Sequence, residues 1–155
     1  MRGGWHDATD YLQYTTTSAN AIYQMMFAYQ ENPEAFGDAY NAAGLPEANG
    51  IPDIVDEIKW GLDWLNRMNP APGELYNQIA DDRDHAACAC PIKMRWIMAT
   101  DRAKDAPVYF CSGEPQVRGK FTNATTGVAS TAASLPLVLH WGARILKEFL
   151  PRICR

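Results

Sequence analysis

At 155 residues with 47% apolar content, the chain can bury one core, and its net charge of −4 leaves no basic footprint for nucleic acid or polybasic patch for a membrane surface. No run of eighteen apolar residues predicts a membrane span, and the opening MRGGWHDATD has no apolar stretch of the signal-peptide kind. The four cysteines, Cys88, Cys90, Cys111 and Cys154, show neither C-x-x-C spacing nor a dense disulfide pattern, so they predict no metal site.

The first informative stretch is Gly3 to Tyr14, GGWHDATDYLQY. Asp7 and Asp10 stand three apart, so a tight turn or a first helical turn can aim both carboxylates at one pocket. Two close carboxylates repel, which can hold one as a base while the other orients a water. The two glycines permit a sharp bend, and Trp5 offers a flat apolar face to a sugar ring. The same spacing also suits Asp10 as a helix N-cap and Asp7 as a solvated loop residue. Thr15 to Gln30 follows as a helix, with Ala19, Ile22, Met26 and Tyr29 on one apolar face and Asn32-Pro33 as its stop. Gly44, Pro46 and Ala48-Asn49-Gly50 then mark a loop.

Gly50-Ile51-Pro52-Asp53 opens a second helix, with Asp53, Asp56 and Glu57 near the positive end of its dipole. Ile54, Ile58, Leu62 and Leu65 form a core stripe, and Trp60 and Trp64 are expected to be buried on a neighbouring face. Two segments now resemble one family. Gly3 to Tyr14 is similar to GGW-x-DAGD-x-x-K-[FY], and IPDIVDEIKWGLDWLNRM is similar to I-x-D-E-x-[KR]-W-G-x-D-[WY]-L, both of glycoside hydrolase family 9, the inverting cellulases. Thr9 stands where the family has Gly and Gln13 where it has Lys. Neither removes a carboxylate, although Thr9 needs a backbone conformation open to a β-branched residue.

The resemblance implies an all-α fold, the first three or so helices of a twelve-helix (α/α)6 barrel. It implies Asp10 as the general base and Asp7 as the residue helping to hold the attacking water. It also implies a β-glucan polysaccharide or oligosaccharide as substrate, secretion or a periplasmic location, and calcium ligands outside these residues; within them no cofactor is expected. After Asn69 to Gly73, a turn, Glu74 to Ile79 reads as a strand and Asp81-Asp82-Arg83-Asp84-His85 as a polar cluster. By resemblance His85 and Asp84 line the sugar cleft, with Trp5 and His6 near the sugar.

Residues 87–106, ACACPIKMRWIMATDRAKDA, fit neither helix nor strand period. Codons can be chosen for this stretch together with Pro107 that spell GMRLPNKDEVDYGYGPGKGRP when read with one extra nucleotide in front, a turn-rich loop suited to a cleft. A displaced reading frame is therefore expected over 87–106. Val108-Tyr109-Phe110 reads as a strand, and Thr122 to Ala133 opens a helix rich in small residues. Pro136 should interrupt that helix, and the same displacement over 133–142 would restore it, which makes His140 and Trp141 poor functional candidates. No counterpart of the family's distal acid glutamate is evident, Glu74 and Glu114 included. Inversion needs acid and base roughly 6.5–9.5 Å apart. The chain alone is thus expected to be inactive. The rival expectations are a non-catalytic glycan-binding or decaying relic, and an (α/α)6 enzyme for another polysaccharide.

Overall fold

The computed structural model describes residues 3–8, 10, 12–80, 108–111, 117–118, 121–122 and 128–153. Its framework is three long helices, α1 (Thr15–Glu31), α2 (Asp53–Arg67) and α3 (Val128–Lys147), each packed on the other two. A short α4 (Leu150–Ile153) follows. Strands β1 (Gln13–Tyr14), β2 (Tyr76–Ile79) and β3 (Val108–Phe110) form an antiparallel sheet in that order. Gln13 faces Ile79, and Ile79 faces Val108 across a ladder whose register shifts between Tyr76 and Gln78. Strands β4 (Val117–Arg118) and β5 (Phe121–Thr122) pair separately.

The core follows from helical periodicity. Ala19, Ile22 and Met26 of α1 meet Ile58, Leu62, Trp64 and Leu65 of α2 and Leu135 and Val138 of α3. Burying side chains of this size contributes roughly 1.5–3 kcal/mol each. Tyr29, expected on the same face, is only half-buried and packs against Phe149 at 6.3 Å in a second, smaller cluster. Gly142 of α3 lets Leu62 approach so closely that a Cβ would overlap its methyl groups. Trp141 pins α3 to α1, donating its indole N–H to Gln30 Oε1 at 3.1 Å and meeting the Tyr23 ring edge-on at 5.3 Å.

Three expectations change. Trp64 is fully buried, but Trp60 is 38% exposed, because its position on α2 faces the chain's N-terminal loop and a cleft rather than α1 and α3. Thr122, expected to open the third helix, belongs to β5, and the described residues of that helix are Val128–Lys147. Pro136 does not end α3: the residue is exposed, and the flanking Leu135 and Val138 are anchored in the core. A proline removes one ladder bond, and tertiary burial on both sides offsets that loss. Residues 87–106 lie outside the described residues.

Candidate active site

Two glycines set the geometry of the first motif. Gly3 has φ +110° and Gly4 φ +70°, conformations that disfavour any residue with a Cβ. Space requires glycine as well, because a Cβ on Gly4 would come within 2.6 Å of the Trp64 indole. The bend turns Trp5 across α2. Its indole N–H donates to Glu57 Oε1 at 2.6 Å, and its ring edge lies against Gly61, where a Cβ would overlap it. Trp60 Nε1 points to the Gly4 carbonyl at 3.5 Å. Gln13, one of the two residues that depart from the family pattern, donates from Nε2 to the Gly3 carbonyl at 3.1 Å and closes the loop from its other end.

The two sequence motifs are therefore halves of one contact. Glu57, Trp60, Gly61 and Trp64 recur at i, i+3, i+4 and i+7, which puts them on one side of α2. Glu57 and Gly61 had not been assigned to the site from the sequence. Their spacing carries the signal, but their partner lies more than fifty residues away.

From this anchor the chain runs through the carboxylates. Asp7 is exposed, and its backbone N–H donates to the Leu12 carbonyl at 2.8 Å. Asp10 is 7% exposed, and its Oδ1 accepts the Leu12 backbone N–H at 3.1 Å. These two bonds tie both Asp7 and Asp10 to Leu12. An ionised carboxylate holding one amide bond keeps lone pairs to accept a proton or a water. The N-cap of α1 is Tyr14, so the helix-cap reading of Asp10 does not apply. The conformation at Thr9 lies outside the described residues.

His6 is exposed beside Asp7. Asp84 and His85 lie outside the described residues. Pairing of Gln13 with Ile79 brings the end of β2 alongside the segment that follows Asp10. There Ala80 is buried at φ +71°, a left-handed turn rare for a residue with a Cβ, and its carbonyl accepts Gln78 Nε2 at 2.9 Å. Among the described residues no group of three or more His, Cys, Asp or Glu could hold a metal ion.

The loop between α1 and α2 is tied down by carboxylates. Asp38 accepts the backbone N–H groups of Asn49 at 2.9 Å and Gly50 at 2.6 Å. Asp53 accepts those of Ala39 at 3.0 Å and Tyr40 at 2.9 Å. Asp56 accepts Asn49 Nδ2 at 2.7 Å. Partial burial raises the Asp56 carboxyl above its ordinary range; the Asn49 bond and Lys59 oppose this, while Asp38 and Asp53 add to it.

Comparison with known proteins finds relatives among glycoside hydrolases. The chain is 24% identical over 162 residues to Endoglucanase C of Cellulomonas fimi, covering 100% of this chain and 13% of that protein. It is 35% identical over 78 residues to a xyloglucan-specific endo-beta-1,4-glucanase of Bacteroides ovatus, covering 49% of this chain and 13% of that protein. Among solved structures, the GH family 9 endoglucanase J30 matches at 24% identity with a TM-score of 0.45, over 94% of this chain and 27% of that one. The chain thus spans a small part of the length of its relatives. The model of the family described as Glycosyl hydrolase family 9 matches residues 1–144. Matched over nearly its whole length by the family that its two docked motifs resemble, the chain belongs to glycosyl hydrolase family 9.

Proposed function

We propose that this chain carries the base side of an inverting β-1,4-glucan hydrolase. Asp10 deprotonates the attacking water and Asp7 holds that water from the exposed side of the same turn. His6 and Trp5 lie toward the sugar, and Asp84 and His85 join them from the segment after β2. The observation that carries this reading is that Asp10, a buried carboxylate oriented by the Leu12 backbone amide, stands three residues from the exposed Asp7, whose own amide bonds the Leu12 carbonyl. Such a pair divides the labour of base and water holder, because only the buried member is shielded from bulk solvent. The endoglucanase names of the relatives support a β-glucan as substrate.

Hydrolysis requires a general acid on the opposite side of the scissile bond, and we assign that acid to a part of the catalytic domain outside residues 1–155. The experiment is made in the intact domain that carries this chain. Cello-oligosaccharide hydrolysis followed by NMR should release the α-anomer first, and Asp10→Asn should lower kcat about 10²–10⁴-fold. Release of the β-anomer would overturn the assignment. We also propose that residues 87–106 derive from a displaced reading frame; over 133–142 the continuous helix removes the ground for one. Resequencing the encoding DNA tests this, and an unchanged frame refutes it.

A further inference from the structure

A cleft of about 570 Å³ opens between the loop around Tyr40 and the first half of α2, and neither Asp7 nor Asp10 lines it. Two aromatic rings border it, Tyr40 at 50% exposure and Trp60 at 38%. Asp53, Asp56 and Glu57 line it beside them. Each of these carboxylates already accepts an N–H from the protein: the Tyr40 amide for Asp53, Asn49 Nδ2 for Asp56, and the Trp5 indole for Glu57. Their orientation is therefore set before any ligand arrives, and each carboxylate retains acceptor capacity.

The complement of such a site is a molecule with a flat apolar face and several hydroxyl donors. Rings accept the C–H face, and oriented carboxylates accept vicinal hydroxyls. From this geometry we infer that the cleft between Tyr40 and Trp60 is a second saccharide site, distinct from the Asp7–Asp10 turn. A neutral sugar fits better than an ion. The three carboxylates are tied to three different partners, and no metal-holding group is present among the described residues. The choice of a β-glucan segment as ligand rests on the proposed function, whereas the existence of the site does not. Because Trp60 and Glu57 also touch Gly4 and Trp5, sugar bound here would rest on the helix that supports the catalytic turn.

The test is a titration of the 155-residue chain with cellotetraose, read by NMR at the Trp60 indole N–H and by calorimetry. Saturable binding in about the millimolar range is expected, with little dependence on salt. Tyr40→Ala removes a half-exposed ring and keeps the backbone bond to Asp53, so the variant should fold. It should weaken binding about three- to tenfold. Trp60→Phe should weaken it less, and Asp10→Asn should leave it within about twofold. No saturable binding, or an affinity unchanged by Tyr40→Ala, overturns the proposal. So does binding lost in Asp10→Asn, which would place the sugar at the catalytic turn. Preference for tetramethylammonium over the sugar would mark a cation site and also overturn it. Failure of the catalytic reading appears elsewhere, in the anomer released by the intact domain, and leaves this titration unchanged.

Discussion

Replacing Gly61 by alanine sets two physical effects of opposite sign against each other. In a helix interior, glycine to alanine ordinarily stabilises by about 1 kcal/mol. Here the new methyl group would overlap the Trp5 ring and come within 2.7 Å of Ile22 Cδ1. Overpacking of this kind costs about 1–3 kcal/mol. Displacing Trp5 also breaks its bond to Glu57, a further loss of about 1 kcal/mol. The expected net result is a destabilisation of about 1–3 kcal/mol, measured by urea unfolding. Gly37→Ala is the control: nothing lies within 4 Å of its added Cβ, and it should be neutral or stabilise by up to about 1 kcal/mol. Adding Trp5→Ala to Gly61→Ala should recover part of the loss, since one of the two overlapping groups is gone, and a double-mutant cycle isolates that coupling. If Gly61→Ala is more stable than the parent, or if the cycle shows no coupling, Trp5 does not dock on α2. The bend at Gly3 and Gly4 would then be held by other contacts.

The remaining expectations concern the loop and α3. Asp53→Ala should release the Ala39 and Tyr40 amides, costing about 1.5–3 kcal/mol per charged bond, and hydrogen exchange at those two amides should accelerate; unchanged protection would contradict the assigned role. The folded state raises the Asp56 carboxyl, so protonation of Asp56 favours folding. That contribution is fully present below the ordinary value near 3.8 and is lost as the pH rises through the raised one. Asp56→Asn should therefore flatten the acid end of the stability–pH curve, and an unaltered curve would count against the shift. Pro136→Ala should restore a missing ladder bond on an exposed face of α3 and stabilise the fold by up to about 3 kcal/mol; a lower Tm would show that the proline is needed where it stands.

Local chemistry alone determined much of this protein. The 3.6-residue period of Ala19, Ile22 and Met26, and of Ile58, Leu62 and Leu65, marks the faces that become the core, because an amphipathic helix has only one way to bury its stripe. The stretches Glu74 to Ile79 and Val108 to Phe110 read as strands, and the strands form at Tyr76–Ile79 and Val108–Phe110. The family, and with it an all-α fold forming part of an (α/α)6 barrel, was legible in GGWHDATD and KWGLDWL. Only the tertiary structure decided why those two motifs occur together. Gly3 and Gly4 bend the chain onto Trp64, and Glu57 and Gly61 receive Trp5, contacts between residues too far apart in sequence for any local pattern to connect. The same limit explains Trp60, whose exposure depends on which neighbour its side of α2 meets, and Pro136, whose cost is offset by burial on either side. Periodicity says that a face must be covered; which residues cover it is a property of the packed chain.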